Sequence, residues 1–246
     1  VRPIDVAWSD WDCTLEAAAR HQGSGCPALR LGLRLVSGLK RDDGIAIAKA
    51  REVLPFRDVG DLARRAGLDR GAMDALARAD ALRSLVDSRR HGMWETAGVE
   101  VALPLATARD DARPALPPET AGEQTVLDYA ATGLSLRRHP LALLRPRLRD
   151  LGGVDTRALN AARQGRWIRV PGLVLVRQRP GSAKGVVFFT IEDEWGTANL
   201  VLYPDIVARD RAAVVGARLV MADGRVERTE TKEVPIIHLV ARRLQD

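Results

Sequence analysis

Aromatic residues are scarce in this 246-residue chain, at 4%, and there are only two cysteines, Cys13 and Cys26. Two thiols thirteen positions apart have neither the spacing of a metal site nor the number a disulfide framework needs, so a reducing, cytoplasmic setting is the expectation. No apolar run reaches eighteen residues, which argues against a membrane-spanning helix. A secretory leader is not expected either, because residues 1–12 already carry Arg2, Asp5, Asp10 and Asp12. The chain begins at Val1 and stops in mid-pattern at "RRLQD", so it is expected to be a piece of something larger.

What is present is positive charge. The net charge is +6 and the pI about 10.0, which suits an anionic partner. From Thr156 to Ile191 there are seven basic residues (Arg157, Arg163, Arg166, Arg169, Arg177, Arg179, Lys184) and no acid. A solvated face would read the same way, so distribution rather than total charge has to carry the argument.

The pattern changes along the chain. "CTLE" and "ALRLGLRLV" suggest short extended pieces, with a helix start also possible around "QGSG". Ile47, Ala50 and Leu54 are spaced i, i+3, i+7; Val59, Leu62, Ala63 and Ala66 repeat the helical spacing, and Ala72, Leu76 and Ala79 continue it. One further helix is expected within 84–103. Leu103–Thr120, with four prolines, reads as a linker. Thr120 and Glu123 have capping-box spacing for a helix through about Thr132, and "HPLALLRPRLRDLGG" gives another helical segment. From Trp167 the period becomes two. "WIRVPGLVLVRQ", "GVVFFTIED", "TANLVLY", "ARLVMADGRVER" and "VPIIHLVARRL" are five strands, with a helical insert, "PDIVARDRAAV", after the third. That is the layout of an OB barrel. The expected fold is therefore multi-domain α + β, a tandem helix-hairpin-helix domain followed by a five-stranded OB barrel.

Two patterns carry chemistry. Gly38 falls in a tight turn between short helices, and "LDRG" repeats the theme around Arg70. A helix-hairpin-helix unit binds a phosphate through free N–H groups at the hairpin and the following helix N-terminus; an ordinary αα-hairpin would give the same local pattern. In "KGVVFFTIEDEWGTANLVLYP" four aromatics cluster, and Phe188 and Phe189 are adjacent, so on a strand they face opposite ways. Val187, Phe189 and Ile191 form an apolar row; Val186, Phe188, Thr190 and Glu192 form a mixed one. Phe188 is expected outside, with Tyr203 nearby, as a base-stacking platform beside a basic track.

These segments also resemble a known family. "GLKRDDGIAIAKAREVLPFRDVGDLARRAGLDRGAMDALARADALRSL", "GLSLRRHPL" and the aromatic stretch are together similar to the C-terminal part of bacterial C-family DNA polymerase III α-type subunits. "RPIDVAWSDWDCTLE" and "EQTVLDYAATGLSLRRHP" make the chain more similar to the error-prone, damage-inducible branch. The resemblance implies a tail of the fingers region at 1–36, a tandem helix-hairpin-helix domain at 37–86, a connector at 87–164 and an OB domain at 165–246. It implies that Gly38, Leu39 and Lys40 fall on the first hairpin and Phe188 on an exposed strand aromatic. With Arg41 and Arg70 the former are the expected duplex contacts, and with Arg177, Arg179, Lys184 and Tyr203 the latter is the expected single-strand contact set. The parent would be a DNA-directed DNA polymerase, with Mg²⁺ expected for its missing catalytic carboxylates and no cofactor in this piece. Double- and single-stranded DNA are the expected partners, with other translesion-synthesis proteins or the sliding clamp, through "QTVLDY", as further ones; no membrane is expected.

Lys40 stands where the family has a second hairpin glycine, which puts the turn geometry in question, and Asp80 stands where a helix-ending Gly is common. Asp10 and Asp12 have two-metal spacing but are read as a surface loop, and His139 and His238 as structural. A free-standing DNA-binding adaptor is the main rival. An NAD-dependent DNA ligase fragment would place the modules in the opposite order, and an anticodon-binding OB domain would leave the hairpins unexplained.

Overall fold

The structure, a computed structural model, describes residues 1–17, 26–99, 114–229 and 235–246. It divides into two units, Val1–Arg137 and Arg138–Asp246. The expected helix start at "QGSG" and most of the expected linker, 103–113, lie outside the described residues.

The first unit is built from short elements. β1 (Thr14–Glu16) pairs antiparallel with β2 (Ala28–Arg30), Leu15 opposite Leu29. A single 3₁₀ turn (Leu33–Leu35) leads to α1 (Arg41–Val53), followed by α2 (Val59–Ala66), α3 (Arg70–Arg78), α4 (Arg89–Gly98) and α5 (Ala121–Thr132). Each of the helices after α1 starts on a side chain that satisfies an N–H the helix itself cannot. Asp58 accepts from Asp61 N at 2.7 Å, Asp69 from Ala72 N at 2.8 Å and Ser88 from His91 N at 3.3 Å; Thr120 and Glu123 form the expected capping box. The spacing of Val59, Leu62 and Ala63 on α2 and of Ala72, Met73 and Leu76 on α3 turns one face of each into a shared core.

That core includes the N-terminal segment. Ile4, Val6, Leu31, Leu33 and Val36 pack with Ile47, Leu62, Leu76 and Leu82. The segment is pinned as well as packed: Val6 N donates to the Ala81 carbonyl, and the Asp5 carboxylate accepts from both Ser84 N and Ser84 Oγ. Asp80, immediately before Ala81, adopts φ 57, the left-handed conformation a helix-ending Gly would take.

The second unit opens with α6 (Pro140–Asp150) and α7 (Thr156–Ala161), then the barrel: β3 (Trp167–Gln178), β4 (Val187–Asp193), β5 (Gly196–Leu202), α8 (Pro204–Arg209), α9 (Arg211–Gly216), β6 (Leu219–Thr229) and β7 (Ile236–Gln245). The strands close in the order β3-β4-β5-β7-β6, antiparallel except for the β5–β7 pair. Five closed strands with the helical insert after the third form an OB-type barrel. The insert is two helices rather than one. It breaks at Asp210, whose carboxylate accepts from Leu244 N at 2.7 Å and so anchors the break to β7.

Closure requires close crossings. At Gly172 a Cβ would lie 2.7 Å from the Ile191 side chain, so only glycine lets β3 pass over β4 there. Alternating residues fill the interior: Val187, Phe189 and Ile191 from β4, Ala198, Leu200 and Leu202 from β5, with Val220, Val226 and Leu239 opposite. α7 caps this core with Leu159, and its start is fastened by Asp193, which accepts from Thr156 N and Oγ1 at 2.8 and 2.7 Å.

Candidate nucleic-acid interface

In the first unit the two hairpins lie side by side. Gly38 carries the positive φ, 88°, while Lys40 sits at φ −81° as the N-cap of α1. The turn therefore asks left-handed backbone of Gly38 alone, and lysine is accommodated without strain at the position where the sequence resemblance led to the expectation of glycine. Lys40 Nζ reaches Asp69, the cap of α3, at 3.4 Å, linking the two hairpins. Leu39 is buried and serves as the hairpin's anchor in the core; Gly38, Lys40, Arg41 and Arg70 are exposed.

The two hairpins differ in what they leave open. No side chain caps α1, and among the described residues the N–H groups of Gly38 and of Lys40 through Asp43 meet no acceptor. Such a row of unsatisfied donors at a helix start favours an anion. Asp42 and Asp43 in that first turn oppose it. In the second hairpin the cap is filled from within, because the Asp69 carboxylate takes the Ala72 N–H and faces Lys40, which together hold it below the usual carboxylate range. Arg41 and Arg70 make no ion pair among the described residues.

In the barrel, Phe189 is 1% exposed and Phe188 is 38% exposed. Phe188 lies opposite Val201 on β5 and Gln178 on β3, on the outer face with Thr190 and Asn199, whose side chains bond at 3.1 Å. Tyr203 is exposed just beyond the end of β5. Arg179 and Lys184 are exposed on the β3–β4 connection, which comes back against Pro204, next to Tyr203: a Cβ on Gly185 would be 3.4 Å from the proline ring and 3.9 Å from the Arg179 guanidinium. The fold thus gathers Phe188, Tyr203, Arg179 and Lys184 around one end of β4 and β5.

Arg177 is not part of that group. Its register partner is Phe189 rather than Phe188; its guanidinium lies 5.2 Å over the buried Phe189 ring and donates to the Ala217 carbonyl. Nor is the basic run a free track. Arg169 is held by Asp223 at 2.5 and 3.1 Å, and Arg157 pairs with Asp155 at 3.0 Å and stacks on Trp195. The stretch contains no acid of its own, but its acids come from Asp155, just upstream, and from β6.

The remaining aspartates and histidines singled out in the sequence find partners within the fold. Asp10 pairs with Arg51 at 2.6 Å and Asp12 with Arg34 at 2.9 Å, so the two carboxylates are committed to separate cations. Among the described residues no group of three His, Cys, Asp or Glu side chains is placed to hold a metal. His139 Nδ1 caps α6 by accepting from Leu141 N, and His238 faces Glu227 at 3.4 Å. "QTVLDY" lies within α5, where Gln124 accepts from Arg137. Among the described residues no helix is long and apolar enough to cross a membrane. Sequence reasoning passed over Trp167, Arg225 and Arg242, which the register brings to one groove on the barrel. Only the bare fact that Trp167 is an aromatic at a strand start pointed to it.

A tandem helix-hairpin-helix unit followed by an OB-type barrel is the class that this fold defines, and residues 1–92 match the helix-hairpin-helix motif family. Across its full length the chain is similar to bacterial error-prone DNA polymerases. It is 46% identical to that of Alkalilimnicola ehrlichii, 45% to that of Azoarcus sp. and 42% to that of Pseudomonas syringae pv. tomato, in each case over 100% of this chain. It spans about a quarter of their length, 23%, 23% and 24% respectively. Among solved structures, asparaginyl-tRNA synthetase from Pyrococcus horikoshii is 20% identical over 38% of this chain and 22% of that one, with a TM-score of 0.31, too slight a likeness to bear on function.

Proposed function

We propose that this chain is a DNA-holding portion of an error-prone DNA polymerase that synthesises across damage during repair and replication. The helix-hairpin-helix unit grips primer–template duplex through backbone phosphates, with the open N–H row from Lys40 to Asp43 and the exposed Lys40, Arg41 and Arg70 as its contacts. The barrel holds the single-stranded template, with bases on Phe188 and Tyr203 and phosphates near Arg179 and Lys184. Nucleotide addition itself, with Mg²⁺, belongs to carboxylates elsewhere in the parent enzyme, which works in the cytoplasm; the sliding clamp or other translesion proteins are further partners.

The observation that carries this reading is the open hairpin and the outward Phe188 in one chain whose whole length aligns with such polymerases. Neither contact set reads base edges, so binding is sequence-blind and dominated by counterion release. Titrations of unrelated oligonucleotides at several salt concentrations test this. The affinities should superimpose and fall with salt, at a slope of about −0.7 per phosphate for single strands. A strong preference for one sequence, or affinity flat in salt, refutes it.

A further inference from the structure

The outer face of the barrel carries a second aromatic-basic site. Trp167, Tyr203, Arg225 and Arg242 line a groove of about 450 Å³ that lies beside α8, β6 and β7. Trp167 is 56% exposed and Tyr203 48%. The Arg242 guanidinium lies 5.8 Å over the Trp167 ring, and Arg225 is Trp167's register partner on β6.

The charges of this groove are unevenly spent. Glu227 is turned to His238, and Arg209 is taken by Asp210 at 2.7 Å and by the Arg242 carbonyl. Arg225 and Arg242 have no carboxylate within ion-pair distance among the described residues, so both guanidiniums are open to a ligand, with Asp205 and Glu227 also lining the groove. A site with two exposed π faces and two guanidiniums without carboxylate partners suits a ligand that is flat and anionic at once.

The groove also continues the surface around Phe188. Phe188 lies opposite Val201, Val201 beside Val240, Val240 opposite Arg225, and Arg225 opposite Trp167. One outward row therefore runs across all five strands from one aromatic to the other. At roughly 4.8 Å per strand that path is about 19 Å, within the reach of the 4–16 nucleotides an OB fold engages.

We infer that this groove takes a nucleotide unit of the same single strand that passes over Phe188, its base stacked against Trp167 and Tyr203 and its phosphate between Arg225 and Arg242. The inference rests on the single-strand role proposed for the barrel, and extends the strand's path beyond the face of β4 and β5.

The test is fluorescence anisotropy of the full chain with labelled dT12 and dT2. Trp167→Ala should weaken dT12 binding on the order of ten-fold, with Trp167→Phe restoring most of it. Arg225→Ala and Arg242→Ala should each reduce the salt slope, by about 0.7 in all when both are replaced, since they share one phosphate. On dT2, too short to span both aromatics, Phe188→Ala and Trp167→Ala should not both retain their full effect. Unlabelled TMP should fail to displace dT12 at concentrations comparable to the oligomer, since one unit makes only part of the contact. Unchanged melting temperatures will separate lost contacts from lost folding. If Phe188→Ala weakens dT12 binding while the Trp167 and arginine variants bind as wild type, the groove is not on the path and the inference fails alone. If TMP displaces dT12 at matched concentration, the groove is a free-nucleotide site and the inference also fails. If the wild type binds no single strand, the barrel reading and the inference fall together.

Discussion

Phe188 and Phe189 are chemically identical neighbours whose replacement should give opposite phenotypes. Phe189 is 1% exposed among Ile191, Leu200 and Leu239, with the Arg177 guanidinium over its ring. Truncation to alanine removes a ring from a closed barrel that has little freedom to collapse, which costs about 3–5 kcal/mol. For a unit the size of Arg138–Asp246 that corresponds to a drop in Tm on the order of 15 °C. Phe188 is 38% exposed against Val201 and Gln178, so Phe188→Ala should move Tm by a few degrees at most. The loss there appears in single-strand affinity instead, at about 1–3 kcal/mol per base stack, a roughly five- to 150-fold rise in Kd. Thermal melts and anisotropy titrations of both variants measure the two quantities separately. If Phe188→Ala unfolds the barrel while Phe189→Ala melts as wild type, the strand register is wrong by one residue. If Phe188→Ala alters neither Tm nor affinity, Phe188 is an ordinary surface residue and the stacking platform does not exist.

Two further outcomes follow from the charge networks of the barrel unit. Arg145 binds Glu194 at 2.7 and 2.6 Å and the buried Asp193 at 3.1 Å, so Arg145→Ala leaves a carboxylate unpaired inside the protein and should cost about 3–5 kcal/mol by urea denaturation; a loss below about 1 kcal/mol would show that water reaches the site. In acid, the Asp210 carboxyl is held below its ordinary range by its bond to Arg209, against burial and with help from Leu244 N. Burial works to raise Glu194 and Asp155, but hydrogen bonds and the charges of Arg145 and Arg157 outweigh it, and both are lowered. Depressed carboxylates contribute stability that is present above the ordinary carboxylate range and is lost as pH falls through their lowered values. Melts of the barrel unit should hold steady down to about pH 5 and fall below it; constant Tm through that window would refute the coupling.

What the sequence disclosed was local. The alternation of Val187, Phe189 and Ile191 placed Phe188 outside because period two leaves no other arrangement on a strand. The Thr120–Glu123 spacing announced its helix because a capping box is complete within four residues. Asp80 could be read as left-handed because so few residues tolerate that conformation. The hidden features depend on partners far apart in the chain. Arg169 and Asp223 are 54 positions apart, so the run of basic residues looked free when part of it was neutralised. Arg177 seemed to belong beside Phe188, but the irregular register between Val174 and Val176 sets it against Phe189. α7, at six residues, is too short for periodicity to register, and although Asp155 caps it locally, what fastens its start to the barrel is Asp193, 37 positions from Thr156. The Trp167 groove likewise exists only once β6 and β7 are in register.

In the proposed division of labour, duplex is held by the hairpins and single strand by the barrel. A crossed titration of two variants, Lys40→Ala/Arg41→Ala/Arg70→Ala and Phe188→Ala, against hairpin duplex and dT12 at fixed salt, decides whether the two ligands are held separately. The triple variant should weaken duplex binding and flatten its salt dependence by up to about 0.9 per lost phosphate contact, while leaving dT12 affinity near wild type. Phe188→Ala should do the reverse. If the two variants weaken both ligands alike, or if either leaves its own ligand untouched, the chain does not divide its DNA in this way.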